Sequence, residues 1–162
     1  MKRRKFTKNL AGSSILALFL PATVFQQGRK DTIITLTVDT ENINQNNIPG
    51  SVSLSDNQGG SGQSPTDYTT PIDPGTRVSW DGVPANPDSG HKVLITQIEV
   101  KCDQGSRVLK KGRYTGRGRV NGNAKDNYVE GLDSYSISFK VIKGGGRPND
   151  YVLDPKLKMN PA

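Results

Sequence analysis

Ser134-Tyr135-Ser136-Ile137-Ser138-Phe139-Lys140-Val141-Ile142 alternates cleanly through Val141. Tyr135, Ile137, Phe139 and Val141 fall on one side, and Ser136, Ser138 and Lys140 on the other. Successive side chains of a strand point to opposite faces, so this is a β-strand with one face toward a core. Outward from it, Thr32 to Thr40 repeats the pattern, with Ile34, Leu36 and Val38 on one face. Val52 and Leu54 suggest a further strand, and Val78 and Trp80 share a face in Arg77 to Trp80. His91 to Lys101 is the longest candidate, but its phase slips between Ile95 and Ile98. A β-bulge near Thr96-Gln97 explains such a slip. Val108-Leu109 and Arg117 to Val120 read as a hairpin. Tyr151 to Met159 closes the series, with Pro155 inside it arguing for an edge position.

Between these runs lie clusters of Gly, Pro, Asn, Asp, Ser and Thr, the residues of turns. Residues 56–75 and the stretch from Asp81 to Gly90 read as polar links, the first with nothing to contribute to a core. No long segment has apolar residues at helical spacing. Seven or eight short strands joined by turns predict an all-β domain over residues 31–162, an antiparallel β-sandwich with a closed barrel as the alternative. Trp80, Tyr135 and Phe139 are its expected core anchors.

Residues 1–30 have a different character. Lys2-Arg3-Arg4-Lys5 precedes an apolar stretch from Leu10 to Phe25 that contains Pro21. A cationic start, a short apolar middle and a polar exit make a signal peptide. Arg3, Arg4, Phe6 and Lys8 occupy the places of the twin-arginine signal, which this segment resembles. The apolar stretch is shorter than the roughly twenty residues of a spanning helix, so no stable transmembrane anchor is expected. The resemblance implies the export machinery as a partner and a periplasmic or extracellular destination.

The charge follows the same division. The chain has 22 basic and 15 acidic residues, a net charge of +7. Seven of the basic residues and none of the acidic ones precede Asp31, so the domain itself is neutral. A nucleic-acid partner is not expected from a neutral domain. Within the domain the charges are polarised: residues 31–90 sum to −7 and residues 91–143 to +6. The densest basic run holds Lys110, Lys111, Arg113, Arg117 and Arg119, with Tyr114 among them. It is a candidate anion-binding face for an acidic polysaccharide or protein, set against a solvated hairpin whose charges pair with the acidic half. Complementary halves also allow self-association.

Catalytic chemistry is hard to assemble from this chain. His91 is the only histidine and reads as an exposed turn residue. Cys102 is the only cysteine and reads as a small buried hydrophobe, with no internal disulfide. One of each is too few for a blue-copper or zinc site. Thr115-Gly116-Arg117-Gly118-Arg119 hints at a phosphate loop but lacks the helix and lysine that follow one. Glu130 and Asp133 are carboxylates near in sequence with nothing to pair them. Oxygen-rich turns (Asp39, Glu41, Asn42 and Asn44; Asp56 and Asn57; Asp81 and Asp88; Asn121, Asn123 and Asp126) leave calcium as the one ion to consider, although such residues are turn formers first. No catalytic residue, metal ligand or cofactor is therefore assigned, and a non-catalytic binding or assembly protein is expected. The alternatives are a carbohydrate-binding module using Tyr68, Tyr114, Tyr128 and Trp80, and an accessory subunit of an exported enzyme complex.

Three stretches carry a further resemblance: Val38-Asp39-Thr40-Glu41-Asn42-Ile43; Gly75-Thr76-Arg77-Val78-Ser79-Trp80; and Tyr135 to Val141 followed by Tyr151-Val152-Leu153-Asp154-Pro155. In order and spacing they resemble the AidA/PixA inclusion-body protein family. The resemblance implies a small β-sandwich, with sugar binding as one role. Leu153 departs from the family's pattern, which has an aromatic residue before the Asp-Pro pair.

Overall fold

The structure is a computed structural model and describes residues 28–102 and 105–161. The leader residues Arg3, Arg4, Phe6 and Lys8 lie outside the described residues. Among the described residues nine strands follow one another: β1 (Thr32–Val38), β2 (Val52–Asp56), β3 (Thr69–Ile72), β4 (Arg77–Pro84), β5 (Lys92–Val100), β6 (Arg113–Asn123), β7 (Leu132–Ile142), β8 (Asn149–Leu153) and β9 (Lys156–Met159). Only two short 3-10 turns, Ile48–Ser51 and Pro87–Ser89, interrupt them among the described residues. The all-β expectation is met.

The strands are hydrogen-bonded along the path β2-β1-β4-β6-β5-β7-β9-β3, with β8 beside β7. The result is one nearly closed, barrel-like sheet. Two long strands make the layers of a sandwich continuous. β6 pairs with β5 from Arg113 to Gly118 and with β4 from Arg119 to Asn123. β7 pairs with β9 at its start, with β8 further on, and with β5 along its other edge. Most pairs are antiparallel, but β1·β4 and β3·β9 are parallel. Parallel neighbours need a long connection: two strands lie between β1 and β4 in sequence, and five between β3 and β9.

Alternation placed the core correctly. Tyr135, Ile137, Phe139 and Val141 are fully buried, as are Ile34, Leu36 and Val38. Trp80 lies between them, and its Nε1 donates to Tyr135 Oη at 3.2 Å. That bond lets a buried indole and a buried phenol satisfy each other. The phase slip in β5 is a register shift between Ile95 and Gln97 against both β6 and β7. It turns both Ile95 and Ile98 into the core.

Other expectations are corrected. Residues 56–75 are not all loop: Thr69–Ile72 forms β3, and Thr70, Pro71 and Ile72 are buried. Asp81 to Pro84 extends β4 rather than starting a link. Val108-Leu109 is not a hairpin strand; Leu109 meets Ala124 in a single bridge, and β6 finds its partners in β4 and β5. Tyr151 to Met159 is two strands, broken where Asp154 and Pro155 turn the chain from one stretch of β7 to another. Pro155 has no N–H to give a ladder, but its carbonyl accepts from Tyr135 N at 3.0 Å.

Candidate functional site

The basic run lies on β6. Arg113, Thr115, Arg117 and Arg119 are exposed, while Val120 and Gly122 are buried. The sheet register sets two of the arginines directly opposite acids. Arg119 is the cross-strand partner of Asp81 and forms a two-pronged ion pair with it. Arg113 is the partner of Glu99, and its Nε donates at 3.2 Å. Lys110 Nζ meets Asp126 Oδ1 at 2.8 Å. Lys111 and Arg117 make no ion pair among the described residues. The five basic residues therefore do not form one open anion cradle. Three are occupied by carboxylates, two of these from neighbouring strands.

The string from Thr115 to Arg119 is a corner in β6. A side chain at Gly116 would run into the carbonyl of Arg119, and Gly118 has φ +117°. The two glycines let the strand leave β5 and join β4. A phosphate-binding loop has no place there.

The aromatic residues separate into core and surface. Trp80 is 1% exposed and unavailable to a ligand. Tyr114 packs at 6.4 Å from Trp80, with its hydroxyl accepting from Lys111 N and donating to Asn123 O. Tyr68 is half-buried and donates to Asp56 Oδ2 at 3.1 Å. Burial, with the Asp56 charge adding to it, pushes this phenol up to about 12. Tyr128 alone of the proposed aromatics stands out, 46% exposed, beside Leu132 at 54%. They line an open groove of about 350 Å³ with Glu130, Lys158 and Asn160.

His91 is not an exposed turn residue. Its side chain is 12% exposed, with Nδ1 2.9 Å from Thr40 Oγ1 and 3.5 Å from Glu41 Oε1. It ties the start of β5 to the loop after β1. Cys102 is half-buried rather than a core residue. In the oxygen-rich turn after β1, the protein's own donors take up the oxygens. Asp39 receives the Asn42 amide at 2.8 Å and the backbone N–H groups of Glu41 and Asn42. The Asn42 side-chain bond is the main cause of the lowered Asp39 pKa. Among the described residues no three His, Cys, Asp or Glu side chains gather closely enough to hold a metal ion.

Among the described residues, a heavily bonded buried carboxylate, Asp133, is one that sequence reasoning left without a role. Asp133 is 1% exposed at the start of β7. Its Oδ2 accepts from Ser106 Oγ at 2.6 Å, Arg107 N at 2.9 Å and Val108 N at 2.9 Å, and its Oδ1 accepts from Arg107 N at 3.1 Å. Ser106 Oγ in turn accepts from Leu109 N at 2.6 Å. This carboxylate folds residues 106–109 inward and seats Val108 and Leu109, both fully buried, in the core. Only the isolated polar approach of Asp133 to an apolar strand start hinted at it. Glu130 is in the Tyr128 groove and takes no part.

Among the described residues no helix is long and apolar enough to cross a membrane. No protein-family model matches the chain, and no curated protein matches it. A solved structure does: the crystal structure of the inclusion body protein PixA from Burkholderia cenocepacia J2315, with a TM-score of 0.62 and 14% identity over 84% of this chain and 99% of that one. At that identity the likeness is one of fold, and it supports the loose resemblance carried by the strand motifs.

Proposed function

We propose that this chain is an exported, non-catalytic β protein of binding or assembly type. The observation that carries it is the use made of the polar side chains. His91, Asp133, Asp81, Glu99, Arg113 and Arg119, the groups a reaction would draw on, join strands and loops to one another. The solved neighbour's description as an inclusion body protein supports the assembly side of the reading. The Arg3-Arg4 leader supports export. Cell fractionation tests that part: changing both Arg3 and Arg4 to Lys should hold the chain in the cytoplasm, and unchanged export would refute the twin-arginine route. A hydrolytic or redox activity of the purified protein that disappears in His91→Ala would overturn the non-catalytic reading.

One observation favours a second reading, carbohydrate binding. Tyr128 offers an exposed ring beside a carboxylate, an ammonium and an amide, the mixture that stacks on and hydrogen-bonds a sugar. A glycan array with and without calcium tests it; a blank array in both conditions removes it.

A further inference from the structure

Among the described residues, three strands are paired along one side only: β2, β3 and β8. Such edges expose unpaired backbone groups, and proteins usually guard them. β3 is guarded twice, by Pro71 at its centre and by Ser61, which bridges Thr69. β8 is guarded by Gln45, whose Nε2 donates to Asp150 O at 2.7 Å. β2, with the sequence Val52-Ser53-Leu54-Ser55-Asp56, has neither a proline nor a lysine nor a bulge, and is met from outside only at its last residue, where Tyr68 bonds Asp56.

Its register shows which backbone groups face outward. Asp39 N donates to Ser51 O at 2.8 Å, which makes that pair a hydrogen-bonded one. Every second residue repeats it, so Ser53 and Ser55 bond to β1, while the N–H and C=O groups of Val52, Leu54 and Asp56 point away from it. This edge is complementary to itself. In an antiparallel pairing of two copies about a two-fold axis at Leu54, Leu54 faces its counterpart and Val52 faces Asp56. Leu54 then pairs with its counterpart and the Val52 N–H meets the Asp56 carbonyl of the other copy, while the Asp56 N–H keeps its bond to the Tyr68 hydroxyl; no two carboxylates are opposed. Ser53 comes opposite Ser55, both exposed and uncharged. The apolar Val52 and Leu54 lie on the core side in both copies, so the two sheets run on as one.

We propose that β2 is a self-association edge, and that its partner is the β2 strand of a second copy of this chain. This rests on the assembly side of the function proposed above. An interface of one short strand is small, so the dimer is a weak one, in the micromolar to millimolar range.

The register makes the test specific. In the two-fold dimer, Ser53→Lys with Ser55→Lys sets lysines opposite each other twice, and the dissociation constant should rise by about tenfold or more. Ser53→Lys with Ser55→Glu sets lysine opposite glutamate twice and should restore association. Sedimentation equilibrium of the full chain up to about 1 mM measures all three proteins. Both sites are on the exposed face, and Trp80 fluorescence checks that each variant is folded. As a measurement free of variants, exchange of the Val52 and Leu54 amides should slow as protein concentration rises. A chain that stays monomeric at every concentration removes the edge and self-assembly together, leaving only the binding side of the functional reading. Association that ignores the lysines, or that lysine-glutamate fails to restore, overturns the β2 pairing while leaving assembly by another surface. Exchange unchanged by concentration also overturns it.

Discussion

Replacing Asp133 with Asn changes no shape and removes one charge from a buried carboxylate held by three donors. The carboxylate accepts from Ser106 Oγ, Arg107 N and Val108 N in a site closed to water. An Asn with its oxygen in the Oδ2 position keeps these three bonds but makes them neutral, at a loss of about 1 kcal/mol each, and turns its amide toward the Arg107 N–H that Oδ1 had accepted. With the amide reversed, its hydrogens oppose the two backbone donors, Arg107 N and Val108 N, which is worse. Against this, a neutral side chain is spared the cost of burying a charge, so a net loss of about 2 kcal/mol is expected. In a domain of this size that corresponds to a fall of roughly 5–10 °C in melting temperature. Urea unfolding followed by fluorescence of Trp80, the single tryptophan, measures it directly. Exchange of the Val108 and Leu109 amides should quicken more than that of β7, because the 106–109 turn loses its anchor first. A variant melting within about 1 °C of the parent would refute the reasoning, since the charge would then contribute nothing to holding the turn.

Three further outcomes follow from the structure. Gly116→Ala puts a methyl group against the Arg119 carbonyl at the corner of β6, and should cost about 2 kcal/mol or more in urea unfolding; an unchanged midpoint would mean the corner is free to open. The fold holds Tyr68 neutral, with its pKa raised to about 12 by burial and by Asp56, so that contribution is complete below about pH 10 and is lost as pH rises toward 12. Tyr68→Phe should therefore show a shallower loss of stability over that window, and equal slopes by urea titration would sink the assignment. Asp67 is lowered first by its hydrogen bond with Lys156, so its contribution is present above the ordinary carboxylate range and fades as pH falls through the lowered value; Lys156→Met should flatten this acid limb in thermal melts, and an unaltered limb would remove Lys156 as the cause.

What could be read from the sequence was what has a short period. β7 and β1 announced their buried faces because alternation reports a strand one residue at a time. The bulge in β5 was legible for the same reason, as a break in phase between Ile95 and Ile98. β3 escaped because Thr69-Thr70-Pro71-Ile72 has no alternation and contains a proline, yet its place beside β9 buries it. Asp133 escaped because its partners lie more than twenty residues earlier, in a turn with no pattern of its own.

The charge pattern left two readings open, an anion-binding face and a hairpin paired with the acidic half, and the register favours the second. Summed along the chain, residues 31–90 are acidic and residues 91–143 basic, which suggests two faces of opposite sign. A sheet does not keep sequence neighbours together. The register places Asp81 of the acidic half opposite Arg119 of the basic half, and each cancels the other where they meet. Lys156 crosses to Asp67 in the same way, while Lys143 donates to the Glu41 backbone carbonyl. Of the five basic residues that suggested an anion-binding face, Lys111 and Arg117 remain without an ion pair among the described residues. An acidic ligand arriving at β6 would thus have to compete with Asp81 and Glu99 for their arginines. Exposed pairs of this kind are individually weak, so the competition is winnable by a ligand with several negative charges but not by a single carboxylate. Polyanion binding that depends on Arg117 more than on Arg113 or Arg119 is the behaviour this arrangement permits, and equal dependence on all three would mean the cross-strand pairs open in solution.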